Sequence, residues 1–126
     1  MKFSNNGVDG NRSRVVIVGL DGVPCENLLI PLLEKGYLQN MQSIFRSGCF
    51  GKMEVCIPEI SSVSWTSFMT GEQSGEHGIY GFTDLIPGSY RMYFPNFSSL
   101  RTRTLFDELG EKKKKSVVIN LPSTYP

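Results

Sequence analysis

The chain has 126 residues, 20% of them charged and 40% hydrophobic, with a net charge of +1. This is the balance of one ordinary globular domain, and it supplies no global field to draw the chain to nucleic acid or an anionic membrane. The longest apolar stretch, 28–33, is interrupted by Pro31 and falls short of the ~20 residues that a membrane span needs.

The first segment, 1–13, is polar and rich in Gly and Asn, without the apolar run of a secretory signal. It reads as a disordered leader, and the domain proper runs over 14–126. The expected location is cytoplasmic. Cys25, Cys49 and Cys56 are odd in number and form no C-x-x-C pair, so they read as free thiols rather than a disulfide framework or a structural zinc site.

Arg14-Val-Val-Ile-Val-Gly-Leu-Asp-Gly22 opens the ordered part. Four consecutive β-branched residues suit a strand buried on both faces, as in a parallel sheet. The spacing of Leu28, Leu29, Leu32 and Leu33 predicts a helix over 27–35, stopped by Gly36. A second short helix is predicted over 38–46, ending at Gly48. Residues 49–57 read as a strand, with apolar Phe50, Met53, Val55 and Ile57, and Pro58 to Ile60 as a turn.

Ser61 to Thr70 then predicts a helix with Trp65, Phe68 and Met69 turned inward and Gly71 just past its end. The stretch 72–96, rich in Gly, Pro and aromatic residues, has no clear period. Thr104 to Leu109 predicts a short helix with Thr104 as N-cap and Asp107 three residues on. Ser116 to Asn120 reads as a further buried strand. Lys112 to Lys115, with Arg101 and Arg103 before them, read as a solvated helix end; the alternative is an anion-steering patch.

Alternating strands and helices predict an α/β fold whose mainly parallel sheet is flanked by helices. About three strands make a thin sheet that must be covered on both faces. The natural polypeptide is therefore expected to continue past Pro126, with this chain as a truncated, N-terminal part.

Three positions stand out for chemistry. Asp21 sits in a Gly-Leu-Asp-Gly turn at a strand end, where ligands gather in open α/β sheets. Its carboxylate suits a divalent cation or, equally, a turn held by local hydrogen bonds. Ser61 lies where a turn enters a helix, beside amides that attract a phosphate. It is either a nucleophile or a plain N-cap, with Ser62 the nearest competitor. His77, the only histidine, lies in Gly75-Glu-His-Gly-Ile-Tyr-Gly-Phe82 and reads more readily as a loop-holding residue than as a ligand.

Taken in order, Val-Ile-Val-Gly-Leu-Asp-Gly, then Pro-x-x-Ser-x-x-Ser-Trp-Thr-Ser-Phe-Met-Thr-Gly, then His-Gly-Ile-Tyr-Gly-Phe resemble the alkaline phosphatase superfamily. Within it the likeness is to the type I phosphodiesterase/nucleotide pyrophosphatase family, in its predicted phosphohydrolase/phosphomutase branch. The resemblance runs from about Arg14 to the end and implies an alkaline phosphatase-like fold. It also implies a metal-dependent phosphoester hydrolase acting on a small-molecule substrate, with two divalent ions (zinc, manganese or iron). Asp21 matches a metal ligand, and Ser61 matches the metal-bound nucleophile that forms a phosphoseryl intermediate. His77 matches a motif histidine that is not a ligand.

The family's remaining Asp and His ligands come from later in the chain, and a sequence with one His cannot supply them. The alternatives are accordingly a catalytically inactive fragment, a binding or scaffold protein that keeps the fold, or a phosphomutase. A sulfatase is disfavoured, because Ser61 is not followed by the x-Pro-x-Arg context that such enzymes need.

Overall fold

The computed structural model describes residues 14–125; the proposed leader, 1–13, lies outside the described residues. The first helical segment begins with a π turn, Cys25–Leu29, and continues as α1, Ile30–Glu34. Pro31 carries no N–H, and its ring crowds the carbonyl four residues back, so a widened turn before it relieves the helix. The segment closes as a Schellman motif, with Tyr37 N–H donating to Leu32 O at 3.0 Å and Gly36 N–H to Leu33 O at 3.0 Å. Helix α2, Gln39–Ser47, packs back on α1. Its Gln42 amide donates to the same Leu33 carbonyl at 3.1 Å, a second donor on that acceptor at the end of α1.

Helix α3, Ser61–Thr70, has the bounds expected from its sequence. Gly71 ends it in the left-handed conformation, φ +73°, with its N–H on Ser67 O, a geometry that any residue with a Cβ would resist. The buried apolar residues gather here: Val63 and Met69 of α3 with Ile79 beyond it, and Leu33 of α1 apart. A one-turn helix α4, Ser74–His77, packs on α3. After it come a hairpin of β1, Asp84–Leu85, and β2, Met92–Tyr93, paired antiparallel as Asp84 with Tyr93 and Leu85 with Met92. A 3-10 turn, Phe97–Ser99, and helix α5, Leu105–Glu111, follow, with α5 also against α3. The period-free stretch 72–96 thus holds α4 and the hairpin, elements too short to leave a pattern in sequence.

The three predicted strands come out differently. Residues 14–18, 49–57 and 116–120 pair with nothing, and the β1–β2 hairpin is the only sheet among the described residues. Val15, Val16, Val117 and Ile119 are all more than 80% exposed. The reason is physical: a run that is apolar on both faces becomes a strand only with a neighbour about 4.8 Å away and a layer on each side. The described residues are therefore mixed helix and small antiparallel sheet, compatible with an α/β class, and the expected parallel sheet is not formed among them. Cys25, Cys49 and Cys56 are free. Among the described residues no helix is long and apolar enough to cross a membrane.

Helix α5 shows how far local chemistry carries. Thr104 Oγ1 accepts from Asp107 N–H at 3.3 Å, and Asp107 Oδ2 accepts from Thr104 N–H at 2.8 Å and from Thr104 Oγ1 at 2.7 Å. This is a reciprocal capping box. The bond from the Thr104 backbone, then that from its hydroxyl, holds the Asp107 carboxyl below its ordinary value. Thr104→Ala is expected to cost about 1 kcal/mol of stability, measured by urea denaturation, and to let the Asp107 carboxyl titrate nearer its ordinary value by NMR. Thr104→Ser should restore both.

Candidate functional site

The two positions singled out in the sequence meet. Ser61 Oγ donates to Asp21 Oδ1 at 3.1 Å across 40 residues of chain, in a position open to solvent. Ser61 is the first residue of α3, and Ile60, in extended conformation, is its N-cap. The first helical bond runs from Ser64 N–H to Ile60 O at 2.9 Å, and no side chain caps the end. The amides of Ser61, Ser62 and Val63 consequently have no hydrogen-bond partner among the described residues. Unpaired N–H groups make this the positive end of a nearly three-turn helix, an end that attracts anions; Ser61 is partly open there, while Ser62 and Val63 behind it are buried.

Trp65 holds the Asp21 turn there. It lies one turn after Ser61, on the same face of α3. Its indole lies so close over Gly19 that a Cβ built on that glycine would fall 2.2 Å from the ring. Only a residue without a side chain lets the Gly-Leu-Asp-Gly turn lie flat on the indole, and Asp21 follows two residues later. Phe68 meets the same indole edge-on, with centroids 6.0 Å apart, a favoured aromatic geometry. The expectation that Phe68 turns inward with Trp65 and Met69 needs correction. Phe68 is 42% exposed and Trp65, whose indole covers Gly19, is half-buried, while Met69 is fully buried as expected.

Neighbouring polar groups are committed elsewhere. Ser62, the rival for either role of Ser61, is 2% exposed, and its hydroxyl has no partner, so it is withdrawn from solvent. The Ser64 hydroxyl lies 3.1 Å from the Cys56 thiol, tying α3 to the segment before the Pro58 turn.

His77 is fully buried. Its Nδ1 accepts from Ile79 N–H at 3.1 Å, and its Nε2 lies 3.1 Å from Ser67 Oγ on α3. Because an amide can only donate, Nδ1 carries no proton, and the ring is the neutral Nε2–H tautomer, donating to Ser67. Burial lowers its pKa from the usual histidine value, against the opposing pull of Glu76 and then Glu72. With both nitrogens occupied, His77 cannot serve as a ligand or general base in this arrangement. It ties α4 and the following loop to α3.

Asp21 and Ser61 thus offer two oxygen donors, a carboxylate and a hydroxyl, which suit a hard or borderline divalent ion. Among the described residues no group of three or more His, Cys, Asp or Glu converges to hold a metal, so the pair fits part of a coordination shell. The contributions of Gly19 and Ser67 escape sequence reasoning. Gly19 had a signal, in that a glycine two residues before a candidate ligand invites the question of what approaches it. Ser67 had none.

A family model, Type I phosphodiesterase / nucleotide pyrophosphatase, matches residues 15–126. No curated protein and no solved structure matches the chain.

Gly19→Ala is expected to lift the 19–22 turn off Trp65 and destabilise the protein by about 1–3 kcal/mol, the usual cost of overpacking. Urea denaturation would measure the loss. The emission of Trp65, the only tryptophan, should shift to the red as the indole is uncovered.

Proposed function

The chain belongs to the type I phosphodiesterase / nucleotide pyrophosphatase family, and on that premise we propose that Ser61 is the nucleophile of a metal-dependent phosphoester hydrolase, with Asp21 as a metal ligand. The observation that carries the reading is the 3.1 Å hydrogen bond from Ser61 Oγ to Asp21 Oδ1 at the uncapped N-terminal end of α3. Nucleophile, carboxylate and anion-attracting helix end converge on one point, and the family is one of phosphodiesterases and pyrophosphatases.

The Ser61 end of α3, with its unpaired amide and the helix dipole behind it, attracts the non-bridging oxygens of a phosphoester and stabilises the charge they gather in the transition state. The bond to Asp21 fixes the Ser61 side chain at that end, so that Oγ meets the phosphorus without a search over rotamers. A serine hydroxyl alone is a poor nucleophile at neutral pH. A divalent ion (zinc, manganese or iron) held partly by Asp21 and Ser61 would lower the pKa of the hydroxyl and neutralise phosphate charge. Ser61 gives up its hydroxyl proton to solvent as the Oγ–phosphorus bond forms and the bond to the leaving oxygen breaks, and the leaving oxygen takes a proton from solvent and departs as an alcohol or phosphate. Water then attacks the phosphoserine, the Oγ–phosphorus bond breaks, and phosphate leaves as Ser61 recovers its proton. The substrate is a small-molecule phosphoester.

A second reading has one observation in its favour. Two converging donors are fewer than a divalent ion normally takes, which suits a domain that keeps the fold and binds phosphate without turning it over.

Ser61→Ala should reduce hydrolysis of bis(p-nitrophenyl) phosphate to background, and retention of the unmutated rate would overturn the assignment. Asp21→Asn should lower bound metal after dialysis, read by elemental analysis. An unmutated protein that binds no metal yet still binds phosphate would favour the binding-domain reading.

A further inference from the structure

His77 gathers three segments on one buried side chain and its backbone. Nε2–H reaches Ser67 of α3, Nδ1 receives Ile79 N–H, and the His77 carbonyl accepts Arg101 N–H at 3.2 Å. Of these, only the Ile79 bond depends on the protonation state of the ring. A proton on Nδ1 would point at the Ile79 N–H, two donors 3.1 Å apart, and the bond becomes a repulsion.

The segment released in that way borders the candidate site. Ile79 is 2% exposed, and the chain runs on from it to Gly81. A Cβ built on Gly81 would stand 3.9 Å from Ile60 Cδ1, and Ile60 is the N-cap that precedes Ser61. We propose that His77 is an acid-operated latch: a solvent proton taken up on Nδ1 frees residues 79–81 from the His77 ring and loosens their packing against Ile60 at the start of α3. The latch stands apart from the nucleophile assignment, because it is read at His77 and Ile79 and not through turnover.

The charged groups around the ring set where the latch opens. Helix α3 contributes none, its residues being uncharged throughout. The connection from α3 to α4 contributes Glu72 and α4 contributes Glu76, both of which favour the charged ring. From the segment before α5, Arg101 lays its side chain over Gly78, within 3 Å of where a Cβ would stand. Burial outweighs the carboxylates and holds the pKa below the usual value. The sign follows: the unfolded chain takes up its proton near pH 6.5 and the folded one lower, so stability is lost as pH falls from about 6.5 toward the folded pKa.

The test is NMR of the full chain labelled with 15N, titrated from pH 7.5 downward, with Glu76→Gln as the variant. At pH 7.5 the His77 ring shifts should report a bare Nδ1. Below pH 6.5, protonation of the ring should coincide with a roughly tenfold loss of Ile79 amide protection, the weight of one hydrogen bond. In Glu76→Gln both changes should move together to lower pH, since a carboxylate that favours the proton is gone. Three results would each overturn the latch: a protonated Nδ1 at pH 7.5, Ile79 protection that stays constant while His77 titrates, or a step that Glu76→Gln leaves in place or moves upward.

Discussion

The arrangement of the candidate site depends on one contact, the Trp65 indole lying on the bare backbone of Gly19. Closing a loop of 40 residues costs about 3 kcal/mol in chain entropy before any contact is made. The hydrogen bond between Ser61 and Asp21, open to water, contributes about 1 kcal/mol and cannot hold the loop closed by itself. A half-buried indole contributes a few kcal/mol through removed apolar surface, on the order of the closure cost. Packing therefore brings the turn to the helix, and the polar pair then sets the register. Placing Trp65 one turn from Ser61 means that the element anchoring Asp21 also carries the hydroxyl.

The remainder of α3 is tied into its surroundings. Ser62 turns inward, Ser64 meets Cys56, Thr66 Oγ1 bonds back to Ser62 O, and Ser67 meets His77. In this hydroxyl-rich helix, Ser64 and Ser67 tie it to the surrounding segments, Thr66 and Thr70 bond back within it, and Ser61 alone is turned toward a carboxylate. That division explains a helix that looks neither clearly apolar nor clearly polar. Of its inward hydroxyls, Thr66 bonds back to the Ser62 carbonyl and Ser62 is buried without a partner, at a modest cost in helix propensity. It also gives the His77 imidazole a place within the core.

Helices were legible because their signals act over three or four residues. Thr104 and Asp107 meet within one turn, Gly71 ends α3 through its own φ, and the bounds Ser61–Thr70 follow from local pattern alone. Strands were not legible in the same way. Val15 to Val18 have every intrinsic preference for a strand, yet strand is a relation between two segments, and the described residues bring them no neighbour. The pattern was read correctly as apolar on both faces; the pairing inferred from it lies beyond what one segment determines.

The family, the helix that carries Ser61, and the identities of Asp21 and Ser61 as the positions to examine were all in the sequence, because they rest on residue type and short spacing; the strand before Asp21 and the short helix that carries His77 were not. The tertiary structure decided that these two side chains meet, that Ser62 does not compete, and that His77 is locked as a neutral ring between Ser67 and Ile79. Each of these depends on contacts between segments that are distant or irregularly spaced, and on which atoms water is excluded from. No local propensity encodes either. A glycine beneath an indole is a single letter in the sequence, and its meaning comes from what rests on it.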